Sequence, residues 1–163
     1  MNYHSKEPKE DEIKVSLNRL TPALLAQCNA SINNKVLDAM LDGRQTVIIK
    51  KAAFEKALKK KAIQDEKNAK LFKTAELNNE GIALEKAGKI EEAISIYEDC
   101  ISIGYPAAHS YERLMILYRK AKDFKNEIRI IKTALKVYKK DPKNFTKYSE
   151  RLEKAIELQS KQS

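Results

Sequence analysis

The sequence predicts an all-α protein: a short array of helical hairpins (an α-solenoid) with a helical N-terminal region packed on it. Two observations predict this fold class. Large apolar residues recur every 34 residues across residues 74–163, as in the pairs Leu77 and Tyr111 or Leu84 and Tyr118, and a fixed period in this range is typical of stacked helical units. Only 4 Gly and 4 Pro occur among 163 residues, so we expect long helices and few turns.

The N-terminal part is predicted to be a tail followed by helices. Residues 1–12 are mostly charged or polar, as in a flexible tail. Residues 13–73 are predicted to form a helical region that caps the array, with a helix start at Thr21, since Pro22 is tolerated in a first turn. Residues 46–49 are β-branched and favour a strand, but they run into a strongly helical segment, so residues 46–73 are predicted to be mainly helix.

Five further helices are predicted in residues 74–163. Gly88, residues 104–106 and Pro142 separate them, because Gly can reverse the backbone and Pro has no amide to donate. Asp123 is a predicted N-cap. The helices are placed near residues 74–87, 90–103, 107–121, 124–140 and 143–160.

The repeating residues resemble the tetratricopeptide repeat (TPR) family over residues 74–163, for about two and a half repeats. The family pattern combines large apolar or aromatic positions with small ones at fixed spacing. The first repeat matches it with Leu77, Gly81, Leu84, Ala93 and Tyr97. The last helix, with its polar outer residues, resembles a C-terminal cap.

The second repeat departs from that pattern at both small positions. Met115 and Glu127 stand where the first repeat has Gly81 and Ala93. Two antiparallel helices approach closely only where a small residue faces the partner helix, so the spacing of this helix pair stays open. An unrelated helical bundle with coincidental spacing is the alternative.

The resemblance implies a non-enzymatic adaptor or scaffold that binds a partner peptide or helix in a concave groove. The first helix of each repeat would line this groove. The residues carried over to it are Asn78, Ile82, Glu85, Glu112, Ile116, Arg119 and Lys120. Two alternatives stay open: these residues are ordinary solvated positions, or the N-terminal region fills the groove.

The charge distribution supports a second hypothesis, a nucleic-acid-associated accessory protein. The protein is basic, with a net charge of +9, and its basic surplus lies at residues 50–73 and 125–143. Steps of 4, 3 and 4 place four basic residues on one helix face, where they could meet phosphates. These residues are Lys125, Arg129, Lys132 and Lys136. Because no aromatic residues interleave with them, the stripe is also typical of a solvated convex face.

No sequence motif predicts an enzyme, a cofactor or a metal site. Cys28 and Cys100 are isolated thiols without a CxxC spacing, and we expect each to be a small buried apolar residue. No apolar run approaches the roughly 20 residues that span a bilayer, so no membrane partner is expected. The charged first twelve residues lack the apolar segment of a secretory signal, which predicts a cytoplasmic protein.

Overall fold

The computed structural model describes residues 7–162, which are mostly helical, with one two-stranded sheet. The chain divides into two compact units between Glu66 and Lys67, a point that lies within one long helix. Of the tail predicted at residues 1–12, residues 1–6 lie outside the described part of the chain. Glu12, at the other end of that predicted tail, already begins a strand.

The first unit is built on two strands that lie far apart in the sequence. Strand β1 (Glu12–Ser16) pairs antiparallel with β2 (Thr46–Lys50), and Val15 lies opposite Val47. Between the strands come a 3-10 helix at Leu17–Arg19 and the helices α1 (Pro22–Leu25) and α2 (Ala30–Leu41). Alternate residues of β2 point into the core, so Val47 and Ile49 are buried.

The prediction of an all-helical region at residues 13–73 is wrong at both strands. Residues 46–50 are not the first turn of a helix, because their β-branched side chains suit a pleated, half-buried strand and β1 supplies partners for their amides. The predicted helix start is confirmed: the Thr21 hydroxyl accepts a hydrogen bond from the Leu24 amide at 3.4 Å, and Pro22 follows it.

Helix α3 (Lys51–Lys86) is continuous, whereas two helices were predicted with a break near residue 73. The sequence from Lys51 to Glu80 contains no Gly or Pro and is rich in Ala, Lys and Glu, which favour helix. Only its first turns belong to the buried core of the first unit, through Phe54 and Ala57. Large apolar side chains further along the helix are exposed: Leu58 is 41% accessible and Phe72 is 72% accessible.

Four helices follow α3 in the second unit, close to their predicted positions. They are α4 (Ile90–Ser102), α5 (Ala108–Lys120), α6 (Phe124–Val137) and α7 (Pro142–Ser160). Gly88 has a φ of +75°, which lets the chain reverse after α3. The carboxylates of Asp123 and Asp141 cap α6 and α7 by accepting hydrogen bonds from the amides three residues later.

The packing between helices explains how the small position at Gly81 can be replaced by Met115 in the second repeat. In the first repeat, a Cβ atom placed on Gly81 would lie 2.4 Å from Cε1 of Tyr97, so only Gly admits that ring. Met115 and Ile131 occupy the equivalent positions of the next repeat, and both are fully buried in the same core cluster. A larger residue on one helix thus accompanies a smaller one on the other, which conserves the packed volume.

Candidate functional site

The seven predicted groove residues lie on the C-terminal part of α3 and on α5, and the structure places most of them in contacts between helices. Asn78 is half-buried, and its side-chain oxygen accepts a hydrogen bond from the Ser110 hydroxyl of α5. The thiol of Cys100 donates to the same oxygen at 3.8 Å. Asn78 therefore joins α3, α4 and α5 rather than facing solvent freely.

Glu85 links the same three helices through charge. Its carboxylate accepts from Nε of Arg113 at 2.9 Å and from the Tyr97 hydroxyl at 2.8 Å. The Arg113 guanidinium holds the pKa of Glu85 below its ordinary value. Burial, reinforced by the hydrogen bond to Glu85, raises the pKa of Tyr97. Only 14% of the Glu85 side chain is exposed, so little of it is available to a partner.

Glu112 connects α5 to α7 in the same way. Its carboxylate lies 2.7 Å from Nζ of Lys147 and accepts from the Tyr148 hydroxyl at 3.3 Å. Tyr148 is fully buried, and burial raises its pKa. Since Glu112 stands one full repeat after Asn78, equivalent positions of successive repeats tie each first helix to the next one.

Arg119 belongs to a buried ionic cluster that sequence reasoning missed. Its Nε lies 2.9 Å from Glu127 of α6, a carboxylate with no exposed surface, and Nε of Arg151 from α7 lies 3.0 Å from the same group. Glu127 was noted only as a departure from the small-residue pattern. Two arginines from other helices satisfy its charge, which local sequence does not show.

Ile82, Ile116 and Lys120 remain as the predicted residues without such contacts. Ile82 and Ile116 are half-buried at equivalent positions of successive repeats, and Lys120 is exposed. We call the surface of Ile82 and Ile116 the isoleucine face. Within residues 7–162, Lys120 forms no ion pair.

The basic stripe lies on α6, where its four members are exposed and line a shallow groove of about 460 Å³. Its four members are joined there by Ile128, Thr133 and Gln159, the last from α7. We call this surface the α6–α7 groove. The groove thus combines cationic side chains with the buried edge of Ile128.

One member of the stripe is neutralised within the protein. Nη1 of Arg129 lies 3.2 Å from the Glu98 carboxylate of α4, which also accepts from the Tyr118 hydroxyl at 2.7 Å. Burial, then this hydrogen bond, raises the pKa of Tyr118 to about 12. Among the described residues, the other three members of the stripe form no ion pair.

The second basic segment, residues 50–73, lies mainly on α3, where most of its lysines are exposed. Several pair with acidic neighbours, such as Lys73 with Glu76 at 2.8 Å. The cysteines differ in burial: Cys100 is buried and Cys28 is half-buried, and burial raises the pKa of both thiols.

No protein-family model, curated protein or solved structure matches this chain. Within the described residues, no helix is both long and apolar enough to cross a membrane. The same part of the chain contains no group of three or more His, Cys, Asp or Glu side chains that could hold a metal ion.

Proposed function

We propose that this protein is a cytoplasmic, non-enzymatic adaptor that binds a peptide or helix of a partner protein along the isoleucine face of a TPR-like array. The way the helices of the second unit contact one another supports it. Glu85 and Arg113 join α3 to α5, and Glu112 and Lys147 join α5 to α7. Together with the fixed repeat period of the sequence, these contacts suit an array of repeated hairpins.

One observation carries the choice of surface. Ile82 and Ile116 are aliphatic residues that stay only half-buried at equivalent positions of successive repeats, while the polar residues around them are held by internal ion pairs. Apolar side chains that are surrounded by immobilised polar residues suit recognition of an apolar side chain on a partner segment. The neighbouring Lys120 can add a charge contact at the rim.

A selection from a random peptide display library on the full chain tests this proposal. Fluorescence anisotropy of the recovered peptides should show that Ile116→Asp weakens binding at least about tenfold, because a charge then stands where an apolar anchor docks. The matched control is the double charge reversal Lys132→Glu with Lys136→Glu, which should leave binding unchanged. Circular dichroism must show that each variant is folded. Peptides that bind a folded Ile116→Asp variant as tightly as wild type would refute the assignment.

A nucleic-acid-associated role is the second candidate, because Lys125, Lys132 and Lys136 line a groove without internal partners among the described residues. Phosphate contacts release counterions, so their affinity falls steeply with salt. If this role holds, duplex or single-stranded oligonucleotides bind in a salt-dependent way, the Lys132→Glu and Lys136→Glu double variant loses that binding, and Ile116→Asp retains it.

A further inference from the structure

Helix α7 carries an apolar stripe that the described residues leave partly uncovered. The stripe consists of Phe145, Leu152 and Ile156, with the small Ser149 between the first two, and steps of 4, 3 and 4 place all four residues on one helix face. Phe145 is 43% exposed and Ile156 is 49% exposed. The residues one and two repeats before Phe145 are buried: Tyr111 is 1% exposed and Leu77 is 8% exposed.

In the preceding repeats, the next helix of the chain packs on the equivalent stripe. Helix α4 packs on α3, where the ring of Tyr97 fills the space over Gly81. Helix α6 packs on α5, and Ile131 and Met115 are buried in one core. Ser149 stands one repeat after Met115, so the same register places a further helix over Ser149.

The charge of the α6–α7 groove indicates the charge that such a helix should have. Helix α4 contacts α6 through an acidic residue, since Glu98 pairs with Arg129. The residue one repeat after Glu98 is Lys132, which lines the groove without an ion pair within the described residues. A helix beside α6 in the next position therefore meets Lys132, with Lys125 and Lys136 on the same face, and acidic residues on it would complement them.

We propose that the α6–α7 groove and the apolar stripe of α7 together bind an acidic amphipathic helix of a partner protein, in the position of a next helix of the array. The apolar face of that helix covers Phe145, Leu152 and Ile156, and its acidic edge faces the lysines of α6. This surface is separate from the isoleucine face, so it goes beyond the adaptor role proposed above. An acidic protein helix suits it better than nucleic acid, because phosphates would leave the apolar half of the surface uncovered.

The probe is a fluorescein-labelled peptide of residues 89–103 with Cys100→Ala, since α4 already covers the equivalent stripe in an earlier repeat. It carries four acidic residues and one lysine. Fluorescence anisotropy with the full chain should show saturable binding, and a scrambled peptide of the same composition should bind at least about tenfold more weakly, because it lacks the apolar face.

Two double variants separate the apolar and ionic parts. Phe145→Asp with Ile156→Asp alters two residues at the protein surface and should weaken peptide binding by about tenfold or more, with circular dichroism showing that the variant is folded. Lys132→Glu with Lys136→Glu should weaken it by about three- to tenfold at low salt and less at high salt. The matched charge control is Lys139→Glu with Lys140→Glu, beyond the end of α6, which should leave binding within about twofold at roughly physiological salt, where distant charges are screened.

Several results would overturn this inference. The first is that the peptide does not bind, or that the scrambled peptide binds equally well. An oligonucleotide binds instead, with loss in the lysine variant and none in the aspartate variant, which identifies a nucleic-acid surface. Sedimentation shows that the chain self-associates and that the peptide dissociates it, which identifies a second copy as the occupant. The Ile116→Asp variant should bind this peptide normally, so failure here is distinguishable from failure of the adaptor proposal.

Discussion

Replacing Gly81 tests the packing between α3 and α4. A Cβ atom at this position would lie 2.4 Å from the ring of Tyr97, about 1 Å inside an ordinary contact between carbon atoms. The ring cannot move away easily, because Tyr97 is fully buried and its hydroxyl is bonded to Glu85. Gly81→Leu should therefore overpack the contact between α3 and α4.

The expected cost follows from two opposing effects. Overpacking a dense core costs about 1–3 kcal/mol. Replacing a helical Gly returns up to about 1 kcal/mol of helix propensity. The net destabilisation of about 1–2 kcal/mol should lower the urea midpoint by roughly 0.5–1 M, for a slope near 2 kcal/mol/M. Since the chain has no Trp, circular dichroism at the helical minimum is the suitable measurement.

Two further variants make the reasoning refutable. Ala83→Leu adds the same side chain two residues along α3 at an exposed position, and it should leave stability within about 0.5 kcal/mol. Gly81→Met combined with Tyr97→Ile copies the residue pair of the second repeat, so it should cost less than the sum of the two single variants. An unchanged midpoint in Gly81→Leu, or strict additivity of the copied pair, would show that these residues are not in the assigned contact.

Three other predictions follow from buried groups. Glu127→Gln should cost about 2–4 kcal/mol in urea denaturation, because it leaves two arginines without their counter-charge, whereas Glu150→Gln at an exposed site should cost less than about 0.5 kcal/mol. The pKa of Glu85 is lower in the folded state than its ordinary 4.5, so the stabilisation by the ionised carboxylate is present above pH 4.5 and is lost as the pH falls through the folded pKa. The difference in unfolding free energy between wild type and Arg113→Gln should therefore shrink from neutral pH to about pH 3. A constant difference would contradict the pairing of Glu85 with Arg113. Ile49→Ala should destabilise the first unit by about 2–5 kcal/mol, measured by hydrogen exchange of the β2 amides, since Ile49 has no exposed surface.

The predictions that held were those with local causes. Gly88 ends a helix because a positive φ is open to it, and Asp123 caps one because its carboxylate accepts a hydrogen bond from the amide three residues on. Such signals need only neighbouring residues. The break predicted near residue 73 failed because no local signal stands there, and helix-favouring residues carry α3 through to Lys86.

The candidate surfaces were predicted only in part. The family resemblance placed Asn78 and Glu85 of α3 and Glu112 of α5 in one groove. The structure shows them engaged with side chains of other helices, on α4, α5 and α7. Periodicity identifies the residues that share a face. It does not identify the side chains that another helix brings within hydrogen-bonding distance.

The sequence by itself determined that residues 74–160 form successive helices, because spacing and caps are properties of adjacent residues. Only the tertiary structure decided that residues 12–16 pair with residues 46–50, that Glu127 is buried between two arginines, and that the basic stripe of α6 lines a groove beside α7. Each of these depends on contacts between segments far apart in the chain. The physical reason is that strand pairing, charge burial and groove shape depend on which distant segment packs against a given one, and the residues of one segment do not identify that segment.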